Sequence, residues 1–134
     1  MNILTRDMVK QERRFKRELV DVSELGPEGT ETFVYVTEVS AAVKDEIEHE
    51  AVRYNKRNGR ATVDVEIVNK TRARIAARCC VDESGARVFT DNDVDMLSER
   101  SSAALSRIFN AYKRLNEMSD EDEEELVKNS PTEP

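Results

Sequence analysis

The chain has 134 residues, 21 Lys and Arg against 28 Asp and Glu, one His, and a formal charge of −7. That length suits one small domain, and Leu, Ile, Val and Phe make up 31 of the residues, just above the roughly 20% below which highly charged chains stay unfolded. A small core with loose ends is expected, no apolar stretch approaches the roughly 18 residues that cross a bilayer, and Met1–Asp7 lacks the apolar run of a secretory signal.

The charge is unevenly placed. Residues 117–134 hold eight acids and one base, Lys128, which leaves 20 charges of each sign in residues 1–116. The body is therefore neutral, and the whole −7 belongs to the last 18 residues. The front leans basic through Arg6, Lys10, Arg13, Arg14, Lys16 and Arg17. The expected organisation is a partly disordered arm over 1–24, one compact domain over 25–118, and an acidic segment over 119–134.

In chain order, residues 1–20 carry helix formers with little apolar periodicity, which predicts a marginal helix or an arm ordered on contact. Leu25-Gly26-Pro27-Glu28-Gly29-Thr30 is a turn cluster, because Gly permits positive φ and Pro pre-sets a corner. Thr32–Thr37 is a β-branched and aromatic run of strand length. Ser40 can cap a helix from Ala41 to about Asn55, with Val43, Ile47, Ala51 and Tyr54 on one face and Asn58-Gly59 closing it.

From Thr62, the residues Val63, Val65 and Ile67 alternate like a strand, whereas Val68, Thr71, Ile75 and Cys79 repeat like a helix. The longer series predicts a helix over about 64–80. Val81–Phe89 reads as a tight turn at Ser84-Gly85 between two short extended pieces. Thr90-Asp91-Asn92-Asp93 is a capping box, and behind it Val94, Leu97, Ser101, Ala104, Ile108, Ala111, Leu115 and Met118 repeat at three and four. This predicts a helix of about 25 residues, widened by Leu105, Phe109 and Tyr112 into a broad apolar face. Ser119 and Asp122 form a second capping box that can open a short acidic helix. The fold class expected is mainly α with minor α+β character: three main helices, a short strand or hairpin, a flexible basic arm and an acidic end.

The side chains that could carry chemistry are few. His49 is the only imidazole, and Asp45 stands four residues before it, yet a zinc site needs about four ligands; a solvated histidine explains it better. No serine occupies a Gly-x-Ser-x-Gly elbow, and the four glycines are scattered through turns, so no phosphate loop is present. No catalytic residue, cofactor or metal site is expected, and the chain reads as a non-enzyme. Cys79 and Cys80 are adjacent, and neighbouring side chains point apart, so a bond between them would be strained. They read as small buried hydrophobes, with paired intermolecular bridges as the alternative. The Lys10–Arg17 cluster, interrupted by Phe15, is the one nucleic-acid candidate; the neutral body and acidic end argue against it, and a docking arm for a protein explains the same residues. The apolar face of the long helix is core by default, with surface left over for a partner.

From Cys80 onward the chain resembles a known family. Cys80-Val81-Asp82-Glu83-Ser84-Gly85-Ala86-Arg87-Val88-Phe89-Thr90-Asp91-Asn92-Asp93-Val94-Asp95-Met96-Leu97 is similar to a stretch of the tail assembly chaperones of long-tailed bacteriophages. Ser101–Leu105, Arg114-Leu115-Asn116 and the Glu124-Glu125-Leu126 segment continue the likeness, with looser agreement from about residue 30. The resemblance implies a small, helical, non-catalytic protein of the host cytoplasm that binds the tape measure protein, keeps it soluble, helps recruit tail tube subunits and is absent from the mature virion. It also implies that an end at Pro134 would be the short form where a frameshift makes a longer one. Binding would be helix-in-groove, with Phe33, Tyr35, Leu97, Ala104, Ile108, Phe109 and Tyr112 as the partner-binding residues and self-association into multimers adding avidity. The acidic end would serve as a self-repelling, solubilising segment. The rivals are a nucleic-acid-binding regulator using the basic arm, and a structural tail or connector protein.

Overall fold

A computed structural model describes residues 1–49, 52–55, 60–63 and 70–119. The fold is α+β, which corrects the mainly α expectation. Its centre is a three-stranded antiparallel sheet of β1 (Arg17–Asp21), β2 (Phe33–Thr37) and β5 (Cys80–Val81), in the order β1-β2-β5. A separate hairpin joins β3 (Val52–Asn55) to β4 (Arg60–Val63). Five α-helices lie among the described residues: α1 (Arg6–Lys10), α2 (Ala41–His49), α3 (Thr71–Cys79), α4 (Val94–Ser98) and α5 (Ser102–Leu115).

The departures from the sequence pattern have local causes. Residues 17–21, expected within a flexible arm, form an edge strand, because Val20 and Val22 need the core while Arg17, Leu19 and Asp21 alternate outward. The ladder runs from Arg17↔Thr37 to Asp21↔Phe33. The helix expected over 41–55 is seen as Ala41–His49, 50–51 lie outside the described residues, and Val52–Asn55 pairs as a strand with Arg60–Val63. Asn-Gly between β-prone residues is a strong hairpin signal, and here Asn58-Gly59 falls between the two strands; residues 56–59 lie outside the described residues. The helix expected over 64–80 is seen as Thr71–Cys79, and 64–69 likewise lie outside them, as does the short helix expected after Ser119.

The helix expected over about 94–118 is two helices. Ser101 adopts non-helical angles (φ −53°, ψ 120°) and its hydroxyl accepts the Ala104 N–H at 3.3 Å, so a new helix starts there. Serine side chains compete well for such backbone donors. The capping box at Thr90 and Asp93 forms as expected, opening a 3-10 turn that leads into α4.

Helices α3 and α5 pack on one face of the sheet. Ala73, Ala76 and Ala77 on α3 and Ala104 and Ala111 on α5 are all buried, and small residues let two helices approach closely. Ile75, Ile108, Phe109 and Tyr112 fill the space toward buried Val36 and Ile47. Helix α3 is central enough to bury Arg74 as well, whose Nη2 donates to the Ile47 carbonyl at 2.7 Å and so holds the end of α2. Arg87 closes the other end of α3, with Nε and Nη2 donating to the Ala77 carbonyl at 3.1 and 2.7 Å.

Candidate functional site

The two faces of the sheet differ in kind. Glu18, Val20, Val34, Val36 and Cys80 face the helices, and three of them, Val20, Val36 and Cys80, are fully buried. The outer face carries Leu19 opposite Tyr35 and Tyr35 opposite Val81, one apolar row across all three strands. Leu19 is 54% exposed, Phe33 49% and Val88 47%, large values for apolar side chains that share one surface.

Leu19, Phe33, Tyr35 and Val88 line a cleft of about 530 Å³ between the sheet and the 82–89 turn, and the core-side residues Val22, Leu25, Val34 and Ile108, with Phe89, form its inner wall. Two neighbouring features stiffen it. Asp82 Oδ1 accepts the Ser84 N–H at 2.9 Å, the Ser84 hydroxyl at 2.6 Å and the Ala86 N–H at 3.1 Å, which fixes the turn and holds the Asp82 carboxyl below its usual range. Gly85 takes φ +91°, the left-handed region the turn requires. Across the sheet, the Arg17 guanidinium lies 4.1 Å from the Tyr35 ring centroid and donates to the Glu83 carbonyl at 2.9 Å. Arg17 therefore straps β1 over β2 to the turn, and it is the one member of the basic cluster built into the sheet.

The open edge of β1 is covered differently. Arg107 and Arg114, seven residues apart on α5, reach β1 and the turn after it. Arg107 Nε donates to the Asp21 carbonyl at 3.0 Å and its Nη2 pairs with Glu24; Arg114 pairs with Glu18. Charged side chains laid on a strand edge discourage another strand from adding there.

Of the seven residues expected to bind a partner, five lie in the core: Leu97, Ala104, Ile108, Phe109 and Tyr112 are each 2% exposed or less. The apolar stripe of the long segment is consumed by α3 and the sheet. Phe33 and Tyr35 stand apart from these five on the outer face, and Ile108 alone of them touches the cleft. Leu19 and Val88, which the sequence did not single out, complete it. The signal was present for Leu19, since Arg17-Glu18-Leu19-Val20-Asp21-Val22 alternates in the strand sense.

The remaining reactive groups are accounted for. Cys79 and Cys80 are free and buried, as expected for small hydrophobes, and burial pushes both thiols up to about 12. The Tyr112 hydroxyl donates to Glu48 Oε2 at 3.3 Å, and Glu48 also pairs with Lys44 at 2.8 Å. Burial, then the Glu48 charge, raises the Tyr112 phenol above its ordinary range. His49 is exposed, with Nδ1 3.0 Å from the Asp45 carbonyl. Among the described residues, no three His, Cys, Asp or Glu side chains cluster as metal ligands, and no helix is long and apolar enough to cross a membrane. No protein-family model, curated protein or solved structure matches the chain.

Proposed function

We propose that the chain is a non-catalytic binding protein that takes an apolar segment of another protein into the outer-face cleft. The observation that carries this reading is the exposure of Leu19, Phe33 and Val88 around one stiffened apolar cleft, since exposed apolar patches on small proteins mark interaction surfaces. The charged residues lining the cleft are Asp82 and Glu83, and Asp82 is committed to its turn, which leaves no convergent acid–base set for chemistry.

The particular role proposed is that of a phage tail assembly chaperone, which rests on the resemblance over residues 80–130. The client would be the long, helical tape measure protein, held soluble before tail tube subunits assemble on it. Compared with the long-helix face, the sheet face is the better candidate for the client, because burying a core side chain and offering it to a partner exclude one another. A cleft of modest size repeated over many copies along one client gives avidity with easy release.

The reading expects a very long, helix-rich product to be encoded beside this gene, and the test is co-expression with it. The wild-type chain should bring it into the soluble fraction, and Leu19→Asp/Phe33→Asp should leave it insoluble. Equal solubility with the double variant overturns the cleft as the client site. Appreciable binding to generic DNA at low salt would instead favour a nucleic-acid role for the Lys10–Arg17 arm.

A further inference from the structure

Six bases of the folded body pair with acids: Lys44, Lys70, Arg78, Arg87, Arg107 and Arg114. The N-terminal arm is different. Arg6, Lys10, Arg13, Arg14 and Lys16 are all exposed, and none of them has an acid partner among the described residues. Five bases less Asp7 and Glu12 give residues 1–16 a formal charge of +3. The opposite charge is concentrated at Asp120–Glu125, six acids in succession.

The fold brings these two segments to one place. The Glu38 N–H donates to the Lys16 carbonyl at 2.8 Å, and the Lys16 N–H to Glu38 Oε1 at 3.0 Å. The next N–H along, that of Val39, donates to Asn116 Oδ1 at 2.9 Å. Arg114, two residues before Asn116, pairs with Glu18, two residues past Lys16. The arm therefore leaves the body, and α5 ends, beside the same dipeptide. Met118 is still buried, and the acidic run begins two residues after it, within about 7 Å of extended chain. Arg13 stands three residues before Lys16, about 10 Å of chain at full stretch. Tethers this short give effective concentrations in the millimolar range.

We infer that the acidic run Asp120–Glu125 folds back onto the basic arm of its own chain and closes that arm to other polyanions. The groups on the arm are exposed, so the clasp is held by their number and by the tether rather than by any one pair. Salt screens such a contact, and a competitor for either side opens it. The body offers the acidic run less, because its own acids already occupy six of its bases. No residue of the arm lines the cleft, so the inference stands apart from the client reading.

A nitroxide on Ser130→Cys reports the contact in the full chain, since Cys79 and Cys80 are buried. Amide signals of Arg13 to Lys16 should lose more than half their intensity at about 0.01 M salt, where charges act over about 30 Å. They should recover it at about 1 M, where the range is about 3 Å. Arg13→Glu/Arg14→Glu, at two exposed positions, should recover it at low salt as well. Equal broadening at both salts is what a tethered but unattracted segment gives, and it overturns the clasp. Broadening of an isotope-labelled chain by a nitroxide on another copy places the contact between molecules, and overturns it too. Closure is read with a fluorescent dT homopolymer at about 0.05 M salt. Glu121→Gln/Glu123→Gln/Glu124→Gln/Glu125→Gln should bind it about ten-fold more tightly than wild type, and adding Arg13→Glu/Arg14→Glu should remove the gain. No gain, or a gain that survives loss of the arm's bases, overturns the closure.

Discussion

Arg114 on α5 holds Glu18 on β1 with two donors, Nε to Oε1 at 3.2 Å and Nη2 to Oε2. One turn pair earlier, Arg107 does the same work on Glu24 and the Asp21 carbonyl. Together the two arginines bind the strand that the arm leads into to the helix beneath it. Hydrogen bonds from Arg114 and Arg107 hold Glu18 and Glu24 below their ordinary 4.5. A carboxyl whose pKa is lowered by folding stabilises the fold above its unfolded value, and that contribution is lost as pH falls through 4.5 toward the folded value. The melting temperature should therefore drop between about pH 5 and pH 3. Glu18→Gln/Glu24→Gln should melt lower than wild type at pH 7 and lose less over the same interval. Both pairs are half-exposed, so Glu18→Gln alone should cost no more than about 1 kcal/mol. Parallel pH profiles for the two proteins would rule the clamp out as an acid-sensitive element.

The sequence made some of this legible and hid the rest for physical reasons. Thr90 and Asp93 were readable as a capping box because both bonds are local, within three residues. The Phe33–Thr37 strand was readable because it is the sheet's middle strand and is rich in β-formers. Arg17–Asp21 was hidden, since an edge strand with one solvated face needs only Val20 inside and can spend its other positions on charge. The two-residue β5 was legible only as a short extended piece before the Ser84-Gly85 turn; its place in the sheet was not, because that depends on the partners β2 offers at Tyr35 and Val36. The apolar stripe from Val94 to Met118 reads as core by default with surface left over for a partner; Leu97, Ala104, Ile108, Ala111 and Met118 are buried, so the partner residues expected on it are taken up by the core. Its break was not legible, because Ser101 is as compatible with an apolar period as with a cap, and only the hydroxyl's bond to the Ala104 N–H decides. The cleft was half legible, through Phe33 and Tyr35; Leu19 and Val88 join it across 69 residues of sequence, a distance no local pattern spans.

The two cysteines should be chemically silent. Each is 0% exposed, and with thiols pushed up to about 12 almost no thiolate exists at neutral pH. A thiol reagent such as DTNB at pH 8 should label neither in the native protein and both in denaturant. Fast native labelling of either would show that α3 opens readily at its C-terminal end.

Helix α5 ends with Glu117 in the left-handed region at φ 51°. The Met118 N–H returns to the Lys113 carbonyl at 3.0 Å, the six-to-one bond of a Schellman motif, and Met118 is buried behind it. Glycine is the usual residue at this position because it has no Cβ penalty there. Glu117→Gly should raise stability by about 0.5–1 kcal/mol, the left-handed strain relieved less the entropy glycine adds to the unfolded chain. Glu117→Val, β-branched, should lower it. Urea denaturation of the three proteins checks both signs, and a destabilised glycine variant would mean the side chain contributes more than the strain costs.

Ile108 and Phe33 both touch the cleft, yet they should answer to charge in opposite ways. Ile108 is fully buried between α3 and the sheet, so Ile108→Asp must either bury a carboxylate or open the core. Unpaired buried charges lie in the severe tail of single-substitution effects, above about 4 kcal/mol, a large share of the roughly 5–15 kcal/mol that holds a small domain. Phe33 already shows about half its surface to solvent, so Phe33→Asp gives up little burial and should cost about 1 kcal/mol or less. Far-UV circular dichroism and thermal melts of the two variants separate the cases: Ile108→Asp should be largely unfolded at 37 °C while Phe33→Asp melts near wild type. If Phe33→Asp unfolds as readily as Ile108→Asp, the outer face is a second core and not a surface that waits for a partner.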